Sequence, residues 1–336
     1  MPENECSCVG FLGSGRHLES TTVAAVRLGT SLPLAGFAPL AMAPPSPEFP
    51  GTWPQIVLIF PGNRPFIPSV NPEDRTLNQI FWILRIGVAM EFIGHGMLGV
   101  LHLAPAWTNY FAVVGISKNA ALAWMPIVGA FDVTMALAVI FYPVRGVILW
   151  MAAWGLWTAL LRPLAGESAW EAVERAGNYG TPLALFLLAK GGGAGSWLRF
   201  RLSEALDGAR LNRYCWLLRL STVLLLAGHG ALNLLVRKPV FAVQYSMLGL
   251  HFPWAEPLVG GLECVLALAV LVRPSFGLLV AVFAWKLATE ALSPMAGSPI
   301  WVFIEHGGSY AAPLALALLV RWREQPAHAS VRLSAA

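Results

Sequence analysis

Apolar stretches recur at regular intervals from Leu77 to the C-terminal region, separated by short polar, glycine-rich or proline-rich connections. Because the stretches are continuously apolar rather than alternating, the pattern favours α-helices over the strands of a β-barrel. Eight membrane-spanning helices are predicted, near residues 79–101, 122–142, 144–161, 179–192, 213–236, 255–272, 275–292 and 309–321. The fourth and eighth are short for a hydrocarbon layer of about 30 Å. We therefore expect them to begin in the headgroup region, with Tyr179 and Tyr310 as interfacial anchors.

The composition supports a polytopic membrane protein. Of the 336 residues, 57% are hydrophobic and 12% are charged, whereas a soluble domain carries about 25% charged residues. This excludes a soluble enzyme of ordinary composition. The net charge of +4 lies mainly in loops and does not indicate nucleic-acid binding. The four cysteines form no C-x-x-C pair, so neither a disulfide framework nor a thioredoxin-like motif is indicated.

The ends of the chain differ from the apolar region. Residues 1–75 hold 12 of the 25 prolines, which prevents a continuous helix and predicts a mostly irregular segment. We expect four-helix units at 76–192 and 213–323, a basic cytoplasmic linker at 193–212 and a tail at 324–336. If the start of the first span is cytoplasmic, twelve of the Lys and Arg residues from Arg64 onward lie on the cytoplasmic side and five lie outside. The positive-inside rule then puts both termini in the cytoplasm of a multi-pass plasma-membrane protein.

The sequence indicates an internal duplication. The segment 92–96 (FIGHG) recurs as 226–230 (LAGHG), an offset of 134 that also relates Arg85 to Arg219. After the first loop the offset becomes 131, and it then holds through the rest of the repeat. The matches at this offset include Pro126, Gly129 and Asp132 with Pro257, Gly260 and Glu263, and Glu174, Tyr179 and Pro182 with Glu305, Tyr310 and Pro313. With four spans in each copy, the copies are expected to be parallel repeats related by an axis along the membrane normal.

The repeat unit resembles the DoxX family of integral membrane proteins. The resemblance rests on Arg85 in the first helix, the pair His95-Gly96 near its end, and the block 174–179 (ERAGNY) followed by Pro182. It implies four-helix membrane proteins, whose relatives include a small subunit of thiosulfate:quinone oxidoreductase and membrane partners of redox complexes. The second copy departs from the block, because His306 replaces the arginine and Ser309 the asparagine.

Ionisable residues inside the predicted spans are the first functional candidates, because burying them in a membrane is costly. His95 and Asp132 lie at similar depth on the first two spans, and we expect them to be in contact. The matching pair is His229 with Glu263. Such pairs suit a proton relay or a hydrogen bond to a quinone carbonyl, and equally a purely structural buried contact. Glu91 lies four residues before His95 on the same helix face and is a second candidate to orient the imidazole.

A second group of candidates lies at the outer interface, before the fourth span. In the first copy it comprises Glu174, Arg175, Asn178 and Tyr179, and the second copy has Glu305, His306, Ser309 and Tyr310 in their place. Arg175 is suited to holding a planar anion. The first copy keeps the fuller charged set, so the principal pocket is predicted there. Lys286 and Glu290 are expected to pair at i,i+4. Arg85 is either an anion contact or a side chain that snorkels to the interface.

These features predict an all-α membrane protein that acts as a membrane subunit of a redox system and meets a quinone or a small anion in the outer half of the membrane. A carrier for a small solute and a scaffold for partner proteins are the alternatives. Ligation of one b-type haem by His95 and His229 is a further alternative for those two residues. We expect no metal site, and no P-loop or flavin motif is visible.

Overall fold

The computed structural model describes residues 72–189, positions 197, 198, 200 and 202, and residues 208–324, with side chains from Arg75 onward. The predicted irregular segment 1–75 lies outside the described residues except for its last four positions, which already belong to the first helix. Most of the predicted linker 193–212 and the C-terminal residues 325–336 also lie outside them.

The described residues form an all-helical structure, apart from one antiparallel bridge between Ala189 and Leu202. The helices of the first half are α1 (Pro72–Val100), α2 (Trp107–Val113), α3 (Lys118–Phe141), α4 (Arg145–Leu164), α5 (Ala169–Glu174) and α6 (Ala176–Leu188). Those of the second half are α7 (Gly208–Ala231, continued by a π-helical turn at Leu232–Val236), α8 (Pro239–Ser246), α9 (Ala255–Val272), α10 (Phe276–Met295), α11 (Ile300–Glu305) and α12 (Gly307–Glu324). The all-α prediction is confirmed.

Seven helical segments are long and apolar enough to cross a membrane, which indicates a multi-pass integral membrane protein. They are Arg75–Val100, Lys118–Phe141, Arg145–Leu164, Gly208–Val236, Ala255–Val272, Phe276–Met295 and Ile300–Glu324. The sequence predicted eight. The difference is the fourth span, because α6 has only 13 residues and a crossing helix needs about 20. The chain before it, in α5 and at Arg175, carries three ionisable residues.

The helix ends follow local chemistry. The Ser275 hydroxyl accepts a hydrogen bond from the Leu278 amide and caps the start of α10. Gly166 and Gly297 follow α4 and α10 with φ values of 91° and 94°. Only glycine adopts this conformation without strain, so the chain can turn at once into the short helices α5 and α11.

The two halves pack against each other in a reciprocal way. Helix α1 lies against α11 and α12 of the second half, and α7 lies against α5 and α6 of the first. Glycines permit this close approach. A Cβ atom at Gly94 would come 2.6 Å from the Cα of Glu305, and one at Gly228 would come 2.5 Å from the Cα of Glu174. The short charged helices are therefore buried against the first helix of the opposite half.

Arg85 contacts the C-terminal end of α3, a contact that neither predicted role included. Its side chain is 7% exposed, and its Nε donates to the Val139 carbonyl at 2.6 Å while a terminal nitrogen donates to Ile140. Arg219 makes the same pair of hydrogen bonds to the last turn of α9. These arginines satisfy carbonyl groups at helix C-termini, where the helix dipole favours a positive charge.

Candidate ligand pocket

A cavity of about 330 Å³ lies in the first half, between α1, α2, α3, α4 and α6. Its walls are mostly aromatic and include Trp107, Tyr110, Phe111, Trp124, Trp154 and Trp157. Its polar lining consists of His95, Thr158, Arg162, Arg175 and Asn178. The cavity lies near the ends of α1 and α4 and the start of α3, close to one face of the helix bundle. Its size and lining are those of a site for a small, mostly apolar molecule.

His95 and Asp132 are in contact beside this cavity, as predicted. The His95 Nδ1 atom lies 2.8 Å from Asp132 Oδ2, and the Asp132 side chain is completely buried. The indole of Trp107 packs on the imidazole with 4.4 Å between ring centroids. Because Nδ1 contacts the carboxylate, Nε2 is the ring nitrogen available to a ligand. A carboxylate on one imidazole nitrogen fixes the tautomer and supports proton exchange at the other.

The matching pair in the second half is also in contact, as predicted. His229 Nδ1 lies 2.5 Å from Glu263 Oε2. The other carboxylate oxygen of Glu263 accepts a hydrogen bond from Trp285 Nε1 at 3.0 Å. It also lies 3.9 Å from the ammonium group of Lys286.

Lys286 distinguishes the second half from the first. Its side chain is completely buried, and Nζ lies 2.7 Å from Glu290 Oε1, so the predicted i,i+4 pair is confirmed. At the offset of 131, Gly155 and Ala159 stand in the positions of Lys286 and Glu290, and both border the cavity. The second half therefore places a buried ion pair at positions where the first half has small residues beside open space.

Arg175 joins the two halves through carboxylates. One terminal nitrogen donates to Glu305 Oε1 at 2.9 Å, and Nε lies 3.2 Å from Glu174 Oε2. Its positive charge is thus already balanced by two carboxylates, rather than left free for an anion as the sequence suggested. The pairing crosses from the first half to the second, which the sequence did not predict.

His306 extends this buried cluster toward Lys286. Its Nε2 lies 3.7 Å from Glu174 Oε1, and its Nδ1 lies 3.6 Å from Glu290 Oε2 and 2.7 Å from the Val302 carbonyl oxygen. Glu174, Glu290 and His306 each offer a ligand atom within 4.8 Å of the others, a spacing that a metal ion could bridge. However, Arg175 and Lys286 already supply positive charge on both sides. The cluster is therefore accounted for as a network of ion pairs.

The other predicted site residues divide into two groups. Glu91 and Asn178 are buried and line a small recess that adjoins the cavity. The hydroxyl groups of Tyr179 and Tyr310 donate to the carbonyls of Ala172 and Phe303. Since Tyr310 is only 5% exposed, its predicted role as a lipid-headgroup anchor is wrong.

The wall formed by α2 was not predicted from the sequence. Trp107 and Tyr110 lie between the first two predicted spans, and the signal that could have identified them is the aromatic cluster of Trp107, Tyr110 and Phe111. The Tyr110 hydroxyl donates to Glu167. Burial raises the pKa of Tyr110 to about 12, so the hydroxyl remains a hydrogen-bond donor at neutral pH. Arg162, also missed, lies 3.3 Å from Glu167 and 3.4 Å from Glu171.

Comparison of the chain with protein-family models, curated proteins and solved structures finds no match.

Proposed function

We propose that the chain is a tandem of two parallel four-helix units in the plasma membrane, with both termini cytoplasmic. In this arrangement α5 and α6 together, Ala169–Leu188, supply the fourth of eight spans. The proposal is supported by contacts that recur at the offsets found in the sequence. His95 contacts Asp132 as His229 contacts Glu263. The reciprocal packing of α1 and α7 on the opposite halves is the pattern expected of two units related by a twofold axis.

We further propose that the protein is a membrane subunit of a redox system and binds a quinone-type ligand in the cavity of the first half. The observation that carries this proposal is the position of the His95–Asp132 pair on the wall of an aromatic cavity of about 330 Å³. Aromatic walls suit a planar ring, and the imidazole supplies a proton-exchanging group at its edge. The resemblance to the DoxX family, with its relative in thiosulfate:quinone oxidoreductase, favours the same ligand class.

The charge balance favours a neutral ligand over an anion. Arg162 lies near the carboxylates of Glu167 and Glu171, and Arg175 lies between those of Glu174 and Glu305. Each guanidinium group therefore already faces two negative charges. An anion entering the cavity would compete with these carboxylates, whereas a neutral quinone or quinol would leave the ion pairs intact.

The proton chemistry follows from the two nitrogens of His95. With Nδ1–H donating to Asp132, the unprotonated Nε2 can accept a proton from a quinol hydroxyl. Oxidation of a quinol releases two protons and two electrons. In this proposal the first proton passes to Nε2, where the Asp132 carboxylate stabilises the imidazolium, and the second passes to solvent. The electrons pass to a partner redox protein.

Photolabelling tests the proposal. The protein in lipid nanodiscs is labelled with an azido-naphthoquinone, with and without an excess of the unmodified naphthoquinone as competitor. We expect saturable, competable labelling in peptides that contain α1–α4. A naphthalene of similar size without ring oxygens is the control and should compete poorly. Labelling that does not saturate, or that falls mainly in the second half, would contradict the proposed site.

A further inference from the structure

A recess of about 10 Å³ opens beside the main cavity and shares five lining residues with it: His95, Trp154, Gly155, Thr158 and Asn178. Glu91 lies at its wall. This volume corresponds to about one water molecule, or to one polar atom of a ligand. A molecule in the aromatic cavity can therefore place a single polar group in the recess.

Three residues that line this recess each carry a buried polar atom without a hydrogen-bond partner among the described residues. Two of these atoms are Asn178 Oδ1 and Trp154 Nε1. The third, Glu91 Oε2, lies toward Gly308 of the second half, and Glu91 Oε1 lies on the side of Gly155. The side chains of Glu91 and Asn178 are only 3% and 8% exposed. Buried polar atoms without partners are rare, because each costs the free energy of its lost hydrogen bonds to water. Two such atoms, Asn178 Oδ1 and Trp154 Nε1, on residues that line one small space indicate that the space receives a polar group.

The polar groups at the corresponding positions of the second half are arranged differently. There Trp285 Nε1 donates to Glu263, whereas in the first half both Trp154 Nε1 and Asp132 Oδ1 lack partners among the described residues. The aspartate side chain is one methylene group shorter than the glutamate. The buried Lys286 side chain also stands in the position of Gly155. Of the three counterparts in the second half, Leu225 has no polar side-chain atom and Trp285 Nε1 is bonded, so only Ser309 Oγ lacks a partner among the described residues.

We propose that this recess binds a hydroxyl group of the cavity's ligand, so that the site prefers the quinol form to the quinone form. The inference rests on the proposed function and specifies its ligand further. A hydroxyl group can accept from Trp154 Nε1 and donate to Asn178 Oδ1 at the same time. A carbonyl oxygen would leave Asn178 Oδ1 without a donor, and an ammonium group cannot accept from Trp154.

A quinol has two hydroxyl groups, and binding of one in the recess leaves the other for the proposed proton transfer. His95 lines both the recess and the cavity, and its Nδ1 contacts Asp132. A quinol held in the recess by one hydroxyl group therefore keeps its second hydroxyl group in the cavity, where His95 Nε2 can accept the proton.

The test compares three probes of one ring system under anaerobic conditions: 2-methylnaphthalene-1,4-diol, the corresponding quinone, and the 1,4-dimethoxy ether. Binding to the full chain in nanodiscs is followed by quenching of tryptophan fluorescence. We expect the diol to bind about tenfold more tightly than the quinone and the ether, because the ether and quinone cannot donate a hydrogen bond to the buried acceptors.

Variants separate hydrogen bonding from fit. Trp154→Phe removes the donor and should weaken diol binding about tenfold. Asn178→Ser, which introduces the residue of the second half, should weaken diol binding about tenfold and ether binding by much less, because the ether donates no hydrogen bond to Asn178. Trp285→Phe is the matched control in the second half and should leave the affinities of all three probes unchanged. Two variants are used so that a folding defect in one does not decide the result.

The outcomes distinguish this inference from the proposed function. Two outcomes would overturn the hydroxyl site and leave the proposed quinone-type pocket intact. One is saturable binding of all three probes with equal affinity, and the other is tighter binding of the quinone than of the diol. A diol preference that persists unchanged in both variants would also overturn it. Absence of saturable binding by any probe would overturn the proposed function as well.

Discussion

Lys286 provides a stringent test of the buried charge network, because it is a completely buried cation in an apolar helix. Its Nζ lies 2.7 Å from Glu290 Oε1 and 3.9 Å from Glu263 Oε1. At an effective dielectric constant of about 20, Coulomb's law gives about 6 and about 4 kcal/mol for these pairs. Desolvation of the ammonium group, at several kcal/mol, offsets much of this attraction.

We therefore expect Lys286→Met to lower the free energy of unfolding by about 3 kcal/mol, the lower end of the range for breaking a buried ion pair. The lower end applies because Glu290 still lies 3.6 Å from His306. Glu290→Gln alone should also destabilise the protein. The double variant removes both charges and should be more stable than the sum of the single effects predicts, by about 2 kcal/mol.

The assay is reversible unfolding of the purified protein by sodium dodecyl sulfate in mixed micelles, followed by circular dichroism and tryptophan fluorescence. Lys118→Met, at an exposed position of α3, is the control and should change stability by less than about 0.5 kcal/mol. A loss below 1 kcal/mol in Lys286→Met, or strictly additive effects in the double variant, would refute the argument for a coupled buried pair.

Two further predictions use the same unfolding assay. Arg175→Gln leaves two buried carboxylates without their guanidinium group and should lower the free energy of unfolding by about 3 kcal/mol or more. The exposed variant Arg273→Gln is its control. Equal effects of the two variants would show that the Arg175 ion pairs contribute nothing to stability. Gly94→Ala places a methyl group against the backbone of Glu305 and should cost about 1–3 kcal/mol. Gly261→Ala, where no atom lies within 4 Å of the added carbon, should be neutral or stabilising; equal losses would contradict the close packing.

The contacts that the sequence predicted correctly are those fixed by depth along neighbouring helices. Helical rise places His95 and Asp132 at the same level on consecutive spans, and adjacency in sequence makes those spans neighbours in space. The same reasoning predicted the contact of His229 with Glu263. The prediction that Lys286 pairs with Glu290 required only the geometry of a single helix.

Contacts between the two halves could not be predicted in this way. The pairing of Arg175 with Glu305 depends on which helix of one half packs on which helix of the other, and the periodicity of a single span does not encode this. The glycines at 94 and 228 indicate that another helix packs closely at these positions. They do not indicate which helix it is. The wall formed by Trp107 and Tyr110 was missed because α2 has only seven residues and lies between two predicted spans.

The measurement that tests the central claim most directly compares binding of 2-methylnaphthalene-1,4-diol, under anaerobic conditions, to Asp132→Asn and Glu263→Gln, in protein whose circular dichroism matches the unmodified chain. Both substitutions neutralise the carboxyl group that contacts a buried histidine, but only Asp132 belongs to the half with the cavity. The account predicts at least a tenfold loss of affinity in Asp132→Asn and little change in Glu263→Gln. A greater loss in Glu263→Gln, or full binding in both variants, would contradict it.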